Sequence, residues 1–190
     1  MARPIAYDRA RVIELAALQF WEDGFGDCNV DDLTRRTGVN RHSLYAAFGG
    51  KAGLYLDALD FYVATVAAPY LAILEGGDDL DDLVCFFATV ARDGFDARGC
   101  LVTNSVVELG RSDAKVAAIV DRYYARYVAA FAALVTRAQA GGSIRADLDP
   151  DAVARWLLVT TQGMSVAARL GAPGPDLAGI VRQALAPQHG

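Results

Sequence analysis

The stretch from Cys28 to Leu54, CNVDDLTRRTGVNRHSLYAAFGGKAGL, constrains this chain more than any other, because two short helical signals and a glycine turn are compressed into one segment. Asn29 is a good N-cap, and Asp31 and Asp32 come next in the first turn, where acids complement the positive end of a helix. Val30, Leu33 and Thr37 fall at i, i+3 and i+7, so one stripe faces inward. Gly38 can take the positive φ that ends a helix in a tight turn, Val39 supplies an apolar plug, and Asn40 can cap a second helix. That helix, Arg41 to Phe48, buries Leu44 and Phe48 and leaves Arg41, His42, Ser43 and Tyr45 on other faces. Short polar and basic side chains near the start of such a helix suit a DNA groove. The competing reading is an αα-hairpin whose polar face is merely solvated.

Lys51 adds a separate signal. It sits just after Gly49 and Gly50 at the start of the next helix, where a cation opposes the helix dipole and an anion would relieve it. Exposed N–H groups, two glycines that permit close approach and a lysine make a phosphate clamp. A solvated surface lysine is the alternative.

Helical signals fill the rest of the chain, and the expected fold is all-α. Asp8 to Asp23 reads as a first helix, with Val12, Leu15, Ala16 and Phe20 at helical spacing and Gly24 ending it. Trp21 and Phe25 read as core packing rather than as a platform for bases. From Lys51 the pattern stays helical to Leu74, with Pro69 expected to kink or divide it. Further helices are expected over Leu80 to Phe95, Leu101 to Leu109, Ala114 to Ala140, Pro150 to Leu170 and Pro175 to Ala186. Ile119, Tyr123, Tyr127, Phe131, Leu134 and Ala138 form an apolar stripe that reads mainly as core.

The ordered elements Asn29-Val30-x-x-Leu33, Thr37-Gly38-Val39, Ser43-Leu44-Tyr45-x-x-Phe48 and Lys51-x-x-Leu54 resemble the N-terminal domain of the TetR/AcrR family of bacterial transcriptional regulators. The match covers roughly a quarter of the chain. It implies a three-helix helix-turn-helix DNA-binding domain over residues 1–50 and a helical effector-binding and dimerisation domain over 51–190. By the resemblance Asn29, Tyr45 and Lys51 touch phosphates, and Asn40, Arg41, His42 and Ser43 face a double-stranded operator. Cys28 and Asn29 depart from the family's usual Thr-Ser or Thr-Thr pair, and His42 stands where a small residue is common.

The resemblance also implies a homodimer, a small-molecule effector and repression of a pseudo-palindromic operator. The helices at about 152–170 and 175–186 would pair across a twofold axis, with Gly163 and Ala167 permitting close approach, although both could equally pack inside a monomer. Arg98-Gly99-Cys100-Leu101 is similar to a segment in one branch of the family whose cysteine senses electrophiles or oxidants. A thiol near a helix N-terminus and an arginine would have a lowered pKa, whereas a plain buried cysteine would not react. Candidate effector contacts are Cys100, Asn104, Tyr123, Tyr127 and Gln162, with Asn104 equally readable as a satisfied core amide.

Charge and composition bound these readings. The net charge is −5, which opposes nucleic-acid binding overall, yet residues 1–55 hold seven Lys/Arg against seven Asp/Glu, so the whole excess lies beyond them. Three cysteines without metal-ligand spacing read as free thiols, and no metal or cofactor is expected. The longest uncharged runs, Phe61 to Leu74 and Trp156 to Ala168, are shorter than the about 18 residues of a membrane span, so none is expected. Arg3, Arg9 and Arg11 lead into no signal-peptide core, which places the chain in the cytoplasm. With only His42 and His189 and no nucleophile triad or phosphate loop, an enzyme is not expected. The alternative class is a helical small-molecule carrier or enzyme that does not bind DNA.

Overall fold

The structure, a computed structural model, describes residues 7–94, 97–171 and 176–187. Arg3, Phe95, Pro175 and His189 lie outside the described residues. Every regular element among the described residues is helical. The first three are α1 (Arg9–Asp27), α2 (Val30–Thr37) and α3 (Arg41–Phe48). A long helical run then comprises α4 (Lys51–Tyr62), a π-helical turn (Val63–Ala67) and α5 (Ala68–Gly76). Next come α6 (Leu80–Thr89) with a second π-helical turn (Val90–Gly94), then α7 (Leu101–Glu108), α8 (Ala114–Ala140), α9 (Pro150–Arg169) and α10 (Leu177–Leu185).

Local chemistry explains most boundaries. Asp8, Asn29, Asn40, Asp79, Asp113 and Asp149 each accept backbone N–H bonds at a helix start, a contribution of about 1 kcal/mol per cap. Pro69 lies in the first turn of α5, just past the π turn, so it divides the long helix as its missing N–H requires. Gly24 does break α1, at φ 85 and ψ 172, but the helix resumes and runs on to Asp27.

Two cores result. One joins Phe20, Leu33, Leu44, Leu54 and Tyr55 of the helix-turn-helix half to Leu101 and Val116 of α7 and α8. The other packs Leu74, Phe86, Phe87, Phe131, Leu157 and Val181 between α5, α6, α8, α9 and α10. The run Lys51–Gly76 is 26 residues long, so by length and composition alone it could cross a membrane, which the shorter uncharged run Phe61 to Leu74 does not indicate. Its most apolar 18-residue window is 28% buried within the protomer. Leu54, Leu59, Leu71 and Leu74 are buried along it, and Asp57 and Glu75 pair with Arg9 and Arg126.

Candidate nucleic-acid interface and the cavity behind it

The α2–α3 unit is locked from both ends. The Asn29 side chain accepts from the Asp32 N–H at 2.9 Å while the Asp32 carboxylate accepts from the Asn29 N–H, a capping box that holds the start of α2. Gly38 closes α2 at φ 72, with its N–H donating to the Thr34 carbonyl at 3.0 Å. Val39 is buried beneath the turn, and Asn40 accepts from the Ser43 N–H at 2.9 Å. Leu44 is fully buried and Phe48 nearly so, which fixes the opposite face of α3 outward. Asn40, Arg41, His42 and Tyr45 are exposed on it and Ser43 is half-buried. Both caps spend the carboxamide oxygen on the backbone, leaving each Asn its NH₂ as the donor that can meet a phosphate or base.

The glycine pair after α3 sets the position of Tyr45. Gly50 has φ 94, and a Cβ there would lie 3.0 Å from the Tyr45 ring. The exposed tyrosine therefore lies over the junction where α4 begins, beside Lys51. The Lys51 ammonium sits 4.4 Å above the Phe25 ring and 3.5 Å from the Gly26 carbonyl. Phe25 packs against the core as expected, with its ring 4.8 Å from that of Tyr55, and its half-buried outer face also supports this lysine.

The electrostatics of this half sharpen the choice of contacts. Arg9, Arg11, Arg35 and Arg36 pair with Asp57, Glu14, Asp32 and Glu22 at 2.5–3.1 Å. Arg41 has only a 4.0 Å approach to Asp31, with both side chains exposed. Arg41 and Lys51 are thus the cations least compensated by carboxylates among the described residues of α1 to α4, and both lie at or beside α3.

Behind this surface, α7 ties the two halves together. The Trp21 indole N–H donates to the Gly99 carbonyl at 2.8 Å, and the Arg98 guanidinium lies 3.9 Å over the same ring. Trp21 is buried as expected, but between the two halves rather than inside one. Tyr55 and Ser105 share a 2.7 Å hydroxyl bond, and the Gly26 N–H donates to Glu108 at 2.9 Å. The Cys100 N–H donates to the buried Ser165 hydroxyl of α9 at 2.7 Å. Sequence reasoning missed Ser105, Glu108 and Ser165, because their partners lie 50 or more residues away and leave no local pattern.

Of the candidate effector contacts, Cys100, Tyr123, Tyr127 and Gln162 line one small cavity between α7, α8 and α9, of about 20 Å³. A second, also of about 20 Å³, shares Cys100, Tyr123 and Tyr127 and is closed by Tyr62 and Phe86. Each has room for about one water. Asn104 is not brought to them: its amide donates to the Arg98 carbonyl at 2.9 Å, and it lines a separate groove of about 320 Å³ with Val107, Val166 and Arg169. Burial pushes the Tyr62, Tyr123 and Tyr127 hydroxyls well above the ordinary tyrosine range, so all three stay protonated donors. Tyr62 also packs edge-on against Trp21 at 5.1 Å, which puts the cavity wall in contact with the end of α1.

α9 leaves an apolar seam uncovered. Trp156, Val159, Val166 and Leu170 are exposed at alternating steps of three and four, and a Cβ at the intervening Gly163 would meet nothing.

The family model described as "Bacterial regulatory proteins, tetR family" matches residues 12–58, and that for the "Tetracyclin repressor-like, C-terminal domain" matches residues 76–185. The HTH-type transcriptional repressor ComR of Escherichia coli is 30% identical over 176 residues, covering 90% of this chain and 83% of ComR. The HTH-type transcriptional repressor DhaR of a Mycobacterium species is 28% identical, covering 82% and 79%. A cysteine mutant of the TetR family transcriptional regulator CifR, complexed with 26 bp double-strand operator DNA, superposes with a TM-score of 0.80 at 26% identity, covering 96% of this chain and 97% of that one.

Proposed function

This chain belongs to the tetR family of bacterial regulatory proteins, and from that premise we propose that it represses transcription as a homodimer on a pseudo-palindromic operator until a small molecule binds its C-terminal half. Residues 1–50 bind DNA and residues 51–190 bind effector and dimerise. The observation that carries this reading is the α3 face, where Asn40, Arg41, His42 and Tyr45 stand exposed on a helix pinned by buried Leu44 and Phe48. Asn29, Tyr45 and Lys51 hold phosphates, while Asn40, Arg41, His42 and Ser43 reach base edges. The protein works in the cytoplasm, where its DNA is, and catalyses nothing.

Dimerisation is supported by the seam Trp156, Val159, Gly163, Val166 and Leu170, to which α10 adds exposed Ile180. A charge-balanced head gains affinity by doubling its contacts through the partner. Effector binding acts as a population shift. Forcing the cavity open displaces Tyr62 and α7, and through Trp21 and Tyr55 the head turns, so that the two α3 helices no longer match half-sites about 34 Å apart. Specific binding to duplex DNA flanking the chain's own gene, falling steeply with salt, tests the reading. Equal affinity for that DNA and a scrambled duplex at low salt defeats it and favours the carrier or enzyme class.

An electrophilic effector that alkylates Cys100 is a second reading, favoured by this thiol's place on the wall of both cavities. Cys100→Ser should then abolish release by electrophiles; release as in the parent removes this reading.

A further inference from the structure

Tyr123 and Tyr127 line not only the two small cavities but also a groove of about 240 Å³ that opens to the surface between the Val63–Ala67 turn and α8. The same two rings therefore separate outer space from inner space. Tyr123 is half-buried and packs on Tyr127 at 4.9 Å, whereas Tyr127 is buried and its hydroxyl donates to the Ala67 carbonyl at 3.3 Å. Both rings are tied, Tyr123 by a hydroxyl bond to Tyr127 and Tyr127 also to the long helix, but Tyr123 is the more exposed of the two and has the single tether, so it is the ring that an incoming molecule would displace.

Charge is sorted along this path. Asp60, Arg122 and Arg126 line the outer groove and are already engaged, Asp60 with Arg122 at 3.7 Å and Arg126 with Glu75 at 2.9 Å. Among the described residues the inner cavities are lined by tyrosines, threonines, Gln162, Cys100 and apolar side chains, with no Asp, Glu, Lys or Arg. An ion moving inward would lose its hydration and meet no countercharge. What it would meet is O–H donors, since burial keeps these phenols protonated. The 3.3 Å bond to Ala67 is long for a hydroxyl donor, so a ligand oxygen can compete for it.

Building on the effector reading above, we infer that the effector is an uncharged, single-ring-sized molecule bearing a hydrogen-bond-accepting oxygen, and that it enters from the α4–α8 groove by displacing Tyr123. Its acceptor takes the Tyr127 hydroxyl, and its ring fills the space vacated by the displaced Tyr123 side chain together with the two small cavities on either side of it. The groove volume lies just under the roughly 300–1,000 Å³ of pockets for drug-sized ligands, which limits the occupant to something smaller.

Three probes of one size and different charge test this on the full-length protein: benzamide, benzoate and benzylamine, each titrated by calorimetry at neutral pH. Benzamide should bind at least about tenfold more tightly than either ion. Thr161→Leu and Leu158→Trp, which fill the inner space from two sides, should each weaken benzamide by about tenfold or more, in whichever variant keeps a cooperative melt. An ion that binds as tightly as benzamide, no benzamide binding at all, or benzamide binding indifferent to a folded cavity-filling variant overturns the inference. Duplex affinity measured on the same samples without probe keeps the two readings apart, because loss of specific DNA binding there defeats the regulator and not the cavity chemistry.

Discussion

The indole N–H of Trp21 and the carbonyl of Gly99 form a 2.8 Å hydrogen bond across 78 residues, so the first helix of the DNA-binding half is fastened to the residue just before the N-cap of α7. Trp21→Phe keeps a ring for Tyr62 and Arg98 to pack on but leaves a buried carbonyl without its donor. That should lower stability by about 1–3 kcal/mol in urea unfolding with an unchanged slope. An unchanged midpoint would mean that the bond contributes nothing.

The interface residues should separate by role. Tyr45→Phe and Lys51→Ala should weaken binding to all duplexes alike, with Lys51→Ala lowering the salt slope by about 1. Arg41→Ala and His42→Ala should instead change the ranking of operator variants, each by about 1–3 kcal/mol at the contacted base pair. Anisotropy titrations at several salt concentrations read both. A Lys51→Ala protein with the parent's slope would remove the phosphate clamp.

Alkaline stability depends on the buried phenols. Burial pushes the Tyr55 hydroxyl from 10.0 to about 12, with the Ser105 bond opposing and the Glu108 charge reinforcing the shift. Below about pH 10 the group is protonated in folded and unfolded chains alike, so its contribution is complete. As pH rises toward 12 the unfolded chain gives up its proton first, and on the order of 2–3 kcal/mol is lost from this group. Urea midpoints across that window should fall less steeply in Tyr55→Phe than in the parent; parallel curves would refute the assignment.

Gly163→Glu probes the seam on α9. A Cβ there meets nothing within the protomer, and glutamate is a better helix former than glycine, so the folded subunit should not suffer. Two carboxylates facing each other across a twofold axis should raise the dimer dissociation constant by about tenfold or more. Sedimentation equilibrium measures it. A variant that dimerises as the parent does would move the interface elsewhere.

The features legible in the sequence are local. Asn29, Gly38 and Asn40 announce their caps because each acts on backbone within four residues of itself, and α8 runs from Ala114 to Ala140 as its apolar stripe predicts. Cys100, Tyr123, Tyr127 and Gln162 meet at one cavity because apolar periodicity puts the tyrosines on the inner face of α8. Asn104 shares their helix-face logic yet turns aside, since the Arg98 carbonyl offers its amide a nearer partner. The continuation of α1 past Gly24 is hidden for a different reason. The Glu108 carboxylate holds the Gly26 N–H and crowds Gly24, and nothing in the α1 sequence indicates a partner 82 residues on.

The carbonyl of Gly99 and the N–H of Cys100 belong to one peptide group, and that group is planar and stiff. One of its poles is held by Trp21 of the DNA-binding half and the other by Ser165 of α9. It works like a pin through two plates: the amide cannot tilt to accommodate one neighbour without straining its bond to the other. Breaking both exposes two buried polar atoms, about 1–3 kcal/mol apiece, which is the scale of coupling free energy that separates the two states of an allosteric protein. A single plane of six atoms thereby connects the helix-turn-helix half to α9, the helix that carries the uncovered apolar seam.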